Sequence, residues 1–454
     1  MMKSVTIIGA GLAGSEAALY LADKGWAVQL FEMRPAKLTP AHQSGLAAEL
    51  VCSNSLKSTL PDTPSGMLKE ELRLLGSKLL PIAESCSVPA GHALAVDRGV
   101  FAKKVDDLIQ AHPKIELVRE EVTKFPPGLC ILSSGPLTSD PLAAELQNTL
   151  GSNQLYFFDA IAPIVAADSL DMGRIYRKDR YDKGEPDYLN CPFTREEYYA
   201  FVDALLSGEQ YQAHEFENEF FRNIKFQYYE NCTPVEELAR RGKDTLRHGV
   251  MRPMGLEREG KKPFAVLQLR TENRDQTAFN LVGCQTMLRQ FEQKRIFRLI
   301  PGLEQVEFLR YGSIHRNSYL NAPEVLNGNL SLKTSPQVFV AGQLGGVEGY
   351  VECIATGLLV ARILAEGIPL LPPETILGQL WRRLTEPGQG RFQPVNANFG
   401  LLPALDMPIK DKKLKKLSLA RRGLEALKHF LEENNLPLYE MVTQARENIE
   451  QHRS

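Results

Sequence analysis

The segment from Val5 to Glu32, VTIIGAGLAGSEAALYLADKGWAVQLFE, limits the fold more than any other part of the chain. An apolar run leads into Gly9, Gly11 and Gly14, spaced as G-x-G-x-x-G. A helical stretch closed by Gly25 follows, and a second apolar run ends on the acidic Glu32. Strand, glycine turn, helix, strand and terminal acid in that order predict a βαβ unit that binds a dinucleotide. The glycines have separate duties: Gly9 permits the tight turn, Gly11 lets backbone approach a pyrophosphate, and Gly14 lets the helix lie close on the sheet. With Ala10, Leu12 and Ala13 between them, they form the expected phosphate cradle at a helix N-terminus. Glu32 stands where a free ribose 2′-hydroxyl is recognised, as in FAD or NAD, rather than a 2′-phosphate.

A second glycine-rich segment lies far away, in PQVFVAGQLGGVEGYVECIATGLLVARIL. An apolar strand, Val338 to Ala341, feeds a turn at Gly342 and Gln343 and then a helix of small residues. Phe101, Val105, Leu108 and Ile109 share a face of an intervening helix, and KIELV and LCILSSG read as short strands. That order predicts an α/β protein with a split Rossmann-type FAD-binding domain, similar to flavoproteins of the glutathione-reductase class. In those proteins the late turn meets the ribityl chain, and its usual Gly-Asp is here Gly342-Gln343. The split implies an inserted α/β domain at 186–314, entered near the turn-rich YDKGEPDYLNCPFT, with 1–185 and 315–454 forming the FAD-binding domain. Thr194 and Glu197 predict a capping box inside the insertion. The chain ends in a basic amphipathic helical tail.

The 454 residues exceed what one hydrophobic core usually serves, which agrees with two domains. Hydrophobic content of 43% and charged content of 24% are ordinary for a soluble globular protein, and no apolar run reaches membrane-spanning length. The apparent strand begins at once, leaving no room for a leader, so a cytoplasmic address is expected. Seven scattered cysteines without a CxxC pair fit a reducing compartment, and the dispersed histidines predict no metal site. A net charge of −2 gives no global sign of nucleic-acid binding, so an RNA partner would need local basic patches.

Two cysteines stand in polar surroundings. Cys232 precedes Thr233, Pro234 and Glu236, which read as N-cap, first helical residue and capping-box acid. A thiol beside the positive end of a helix dipole is a candidate nucleophile, although a plain loop residue ahead of a helix would have the same sequence. Cys52 sits in AELVCSNSLKS, where Ser53, Asn54, Ser55 and Lys57 form either a chemical setting or an ordinary turn. Cys130 and Cys353 fall in apolar patterns and read as packing residues.

These stretches, with FEMRPAKLTPAH, PAGHALAVDR, RTENRDQTAFNLVGCQTML and FQPVNANFG, resemble the folate- and FAD-dependent tRNA uracil-5-methyltransferases, short relatives of the glucose-inhibited-division flavoproteins. The resemblance implies that NAD(P)H reduces FAD, that 5,10-methylenetetrahydrofolate gives its methylene to the flavin, and that C5 of uridine 54 in the T-loop of tRNA receives it. It implies Cys232 as the nucleophile that adds at C6 of uracil. Cys52 becomes the second cysteine, handling the C5 proton or assisting the adduct, and Tyr350 the aromatic packed on the flavin ring. For the T-arm of tRNA the candidate patches are GRIYRKDRYDKG, RRGKDTLRHGVMRP, QKRIFR and the tail lysines Lys412, Lys413, Lys415 and Lys416. Competing expectations are an NAD(P)H-dependent flavin oxidoreductase on a small molecule and a wobble-uridine tRNA-modifying flavoprotein.

Overall fold

The structure, a computed structural model, describes residues 3–39, 41–150, 154–182, 186–211, 233–258, 260–388 and 392–439. Five parallel strands make the first sheet, in the order Val338–Val340, Cys130–Leu132, Ser4–Ile8, Ala27–Phe31 and Ile115–Val118. Thr6 pairs with Cys130, which pairs in turn with Val338, and Ile8 pairs with Phe31. The strands at 130–132 and 338–340 are buried throughout, as expected where helices cover both faces of a parallel sheet. This is the predicted split Rossmann arrangement, since the last strand arrives from more than 180 residues downstream of its neighbour.

Helix Leu12–Asp23 leaves the glycine turn and packs on the small-residue helix Tyr350–Glu366. Their approach needs glycine: a Cβ at Gly357 would stand 2.3 Å from the Ala13 carbonyl oxygen. Helix Arg98–Ala111 buries Phe101, Ala102, Val105 and Ile109. Leu108, expected on the same face, is 48% exposed, because the step of about 100° per residue that carries Ile109 inward turns its predecessor outward.

The second sheet has six antiparallel-paired strands, ordered Tyr176–Arg177, Leu189–Phe193, Ala265–Thr271, Ala278–Leu281, Ile164–Ala166 and Phe308–Arg310. The boundary expected at 186 therefore falls inside it. Strand Ile164–Ala166 pairs with both Ala278–Leu281 and Phe308–Arg310, so chain well ahead of the turn-rich stretch already belongs to this layer. A long antiparallel ladder, Gln154–Ile161 against Ser313–Leu320, forms a separate two-stranded sheet. The hydrophobic cores divide accordingly, one drawing on residues up to Leu150 and from Leu320 onward, the other on Val165 to Val306.

The capping box at Thr194 forms, with each side chain bonded to the other residue's backbone. The tail helix Lys412–Glu433 starts on Asp411, whose carboxylate accepts from the Lys413 and Leu414 amides. Its Leu419, Ala420, Gly423, Leu427 and Leu431 join the first core, while its four leading lysines stay exposed. Among the described residues no helix is long and apolar enough to cross a membrane.

Candidate active site

A cleft with about 1010 Å³ of open space lies where the parallel strands end. Its walls come from segments that leave those strands at their carboxyl ends: Gly9 to Ala13, Glu32 to Arg34, Ser133 to Ser139, and Gly342 with Gln343. Open α/β sheets bind ligands there because loops diverge and helix N-termini point inward.

The three glycines meet different steric conditions. Gly9 has φ +98°, and a Cβ on it would stand 2.7 Å from the Ser133 carbonyl oxygen. A Cβ on Gly14 would lie 1.9 Å from the Gly9 carbonyl oxygen, so helix and turn touch. Around Gly11 nothing lies within 4 Å of such a Cβ; its bare side faces the cleft. Leu12 and Ala13 also line the cleft, and as the first residues of the helix they have amides without intrahelical partners. Ala10 lies behind, fully buried, donating its amide to Glu32 Oε2 at 3.1 Å. These residues fit a dinucleotide pyrophosphate.

Glu32 lines the cleft, but its carboxylate is also held from behind. Oε1 accepts from the Arg34 amide at 3.1 Å and Arg34 Nε at 2.9 Å, and Oε2 from Arg34 Nη2 at 3.0 Å. Burial works to raise its pKa, yet the Arg34 guanidinium and the two amides outweigh it and hold the carboxyl below its ordinary range. It is thus a fixed anion at the cleft wall whose two oxygens already accept four hydrogen bonds from the protein. Arg34 also binds Glu49, a neighbour of His42 in the wall. Burial, aided by Arg34, pushes the His42 imidazole down to about 4 and keeps it neutral at pH 7.

At the other end, Gly342 takes φ +77° and donates its amide to Thr356 Oγ1 at 2.9 Å, so Gln343 turns along the cleft. Tyr350, the first residue of its helix, lines the cleft as well. Its hydroxyl accepts from the Cys52 amide at 2.8 Å and from the Ser53 amide at 3.1 Å. The Cys52 loop is thereby fastened to the cleft wall, although the two positions are 298 residues apart. Burial raises the Tyr350 phenol, which stays neutral, and the Cys52 thiol adds to that effect.

Lys57, one of the residues offering Cys52 either a chemical setting or an ordinary turn, pairs with buried Glu352 at 2.7 Å. Arg98 and Arg310 lie within electrostatic reach of Cys52. Arg98 Nη1 donates to the Leu50 carbonyl at 3.1 Å, and Arg310 Nη1 to the Val51 carbonyl at 3.0 Å.

Cys232 lies outside the described residues. Past it, helix Val235–Arg240 begins with Pro234 at the N-cap, and no side chain caps it. The expected capping box is absent because Glu236 is fully buried and accepts from the Thr286 hydroxyl. Cys130 and Cys353 are buried, and burial pushes both thiols up to about 12.

Two basic stretches come together: Arg180 donates to the Arg252 and Met254 carbonyls at 2.8 Å. QKRIFR and the tail lysines are separate in sequence from this pair, and the lysines are exposed. Sequence reasoning missed Arg34, His42, Arg98 and Arg310. No spacing rule flags them, though the first three lie in FEMRPAKLTPAH and ALAVDR, stretches already singled out.

Comparison with known proteins extends these findings. The model of the glucose inhibited division protein A family matches residues 4–369. A methylenetetrahydrofolate--tRNA-(uracil-5-)-methyltransferase TrmFO from Anoxybacillus flavithermus is 50% identical over 434 residues, covering 94% of this chain and 99% of the relative. The protein of the same name from Bacillus subtilis is 48% identical, over 94% and 98%. The crystal structure of Aquifex aeolicus GidA (form II) aligns with a TM-score of 0.65 at 16% identity, over 95% of this chain and 76% of that one, and supports the fold. A flavoprotein-like cleft with a cysteine loop fastened to its wall, and half-identity along nearly the whole length, lead to one assignment: the chain belongs to the glucose-inhibited division protein A family, within its TrmFO methylenetetrahydrofolate–tRNA-(uracil-5-)-methyltransferases.

Proposed function

We infer that the chain methylates C5 of the T-loop uridine of tRNA, uridine 54, taking the carbon from 5,10-methylenetetrahydrofolate with FAD and NAD(P)H. The observation that carries this reading is the bond between the Cys52 amide and the Tyr350 hydroxyl, which fixes a thiol-bearing loop beside a dinucleotide cleft. When bound, FAD supplies the redox chemistry and relays the one-carbon unit.

We assign the protein's own tasks as follows. The helix N-terminus at Gly11, Leu12 and Ala13 binds the pyrophosphate, Glu32 the ribose, and Gly342 with Gln343 the ribityl end, while Tyr350 walls the ring. Uracil C5 is a weak nucleophile until a thiolate adds at C6, which places electron density on C5. Cys232 is assigned that addition. Once C5 has accepted carbon its proton must leave, and Cys52 takes it, after which the Cys232–C6 bond breaks. The uridine must leave its stack to reach the cleft. In this reading the T-arm lies over exposed basic side chains, and the enzyme works in the cytoplasm, where tRNA, NAD(P)H and reduced folates occur together.

The test uses two variants, each assayed for bound flavin and 5-methyluridine. Cys232→Ala and Cys52→Ala are expected to purify yellow and to lose at least 100-fold in methyl transfer. Full activity in either variant removes that cysteine from the mechanism, and loss of flavin alone in Cys52→Ala marks a structural role.

A further inference from the structure

The segment that carries Cys52 is held from two sides of the chain: by Tyr350, Arg98 and Val96 of the FAD-binding domain to which it belongs, and by side chains of the second sheet. Arg270, on strand Ala265–Thr271, donates Nε to Asn54 Oδ1 at 2.9 Å and Nη2 to Ser53 Oγ at 3.0 Å. Asn54, fully buried, returns its amide to the Thr271 carbonyl at 2.9 Å. Arg310, which ends strand Phe308–Arg310, donates to the carbonyls of Val51 at 3.0 Å and Ala41 at 3.0 Å. Even Arg98, from the first domain, is paired across the boundary with Glu272, at 2.6 Å. Residues 51, 53 and 54 are thus each gripped by a side chain or carbonyl from the inserted domain.

We propose that Arg270 and Arg310 are positioning residues for methyl transfer, fixing the 51–54 segment from the inserted domain and with it the place of Cys52 beside the cleft that Val51 and Tyr350 line. The proposal rests on the functional reading above, but the placement it describes is measurable without it. A guanidinium is suited to the task because its planar fork holds two acceptors at set angles, whereas a lysine ammonium is a single point on a flexible stem. Hydrogen bonds to a charged donor are also stronger than neutral ones, and losing one strands a buried acceptor. A shift of the inserted domain is therefore passed to the Cys52 loop through these two side chains. Neither arginine needs to touch substrate for this.

The test compares FAD-loaded wild type with Arg270→Met, Arg270→Lys and Ser53→Ala. Two quantities are read: kcat and KM for tRNA in methyl transfer, and the rate at which iodoacetamide alkylates Cys52, followed by peptide mass spectrometry without tRNA or folate. Arg270→Met is expected to keep flavin, to lose at least tenfold in kcat with KM for tRNA within twofold, and to alkylate at Cys52 at least threefold faster. Arg270→Lys should recover part of both effects. Wild-type kcat and alkylation in Arg270→Met overturn the proposal, as does a rise in KM alone. Should Arg270→Met fail to fold, Ser53→Ala, which removes one acceptor, decides: its Cys52 alkylation must quicken, and an unchanged rate contradicts the proposal. A wild-type protein that forms no 5-methyluridine counts against the functional reading only, because the alkylation comparison stands without turnover.

Discussion

Single residues divide the cleft into parts that serve the fold and parts that serve the ligand, and Gly11 and Gly14 separate them most sharply. A methyl at Gly14 collides with the backbone of Gly9, whereas one at Gly11 meets no protein atom. Gly14→Ala should therefore destabilise the ligand-free protein by about 1–3 kcal/mol, the usual cost of overpacking. Gly11→Ala should leave that stability within about 0.5 kcal/mol and instead weaken FAD binding at least tenfold. Denaturant titration and flavin fluorescence measure the two effects, and equal destabilisation by both substitutions contradicts the division. The positive-φ turn at Gly9 and the contact of Gly14 with Gly9 were legible in sequence because both arise within one turn. The fork of Arg270 on Ser53 and Asn54 was not, since it joins positions more than 200 residues apart and no local spacing encodes it.

Among the elements, two helices start on buried carboxylates from elsewhere in the chain. Glu16 accepts from the Lys78 and Leu79 amides, both at 2.8 Å, and Glu71 from the Ile376 and Leu377 amides at 2.7 and 2.8 Å. Burial outweighs those donors and pushes each carboxyl up to about 7, as it does for Glu236. Between pH 4.5 and 7 the folded protein therefore holds protons that the unfolded chain has released, and stability falls as pH rises. His42, held down to about 4, works the opposite way up to its unfolded value of 6.5. With three groups against one, unfolding free energy should fall by about 1–3 kcal/mol per pH unit from pH 5 to 6.5. Urea denaturation of the ligand-free protein checks this, and stability that rises over the window contradicts it. Here too local signals reached only so far: the box at Thr194 and Glu197 formed, while the matching pattern at Thr233 and Glu236 yielded to the buried partner Thr286.

For the molecule as a whole, the sequence carried the split FAD-binding domain and the presence of an insertion, because both glycine turns are bounded by strand and helix signals. It misplaced the start of the second sheet, because the strand at Ile164–Ala166 is short and owes its place to pairing with residues near 279 and 308. What the whole structure adds is the meeting of two domains at one loop, with Tyr350 of the cleft wall bonded to Cys52 and Ser53, and Arg270 and Arg310 of the second sheet bonded to Ser53 and Val51. In the proposed function, that junction is where a flipped base, a folate carbon and a thiol come together. The most direct measurement incubates the FAD-loaded protein with unmodified tRNA, NAD(P)H and 5,10-methylenetetrahydrofolate labelled in its methylene carbon. The account predicts label in the methyl group of 5-methyluridine at position 54, dependent on each component; NAD(P)H oxidation that leaves the RNA unlabelled contradicts it.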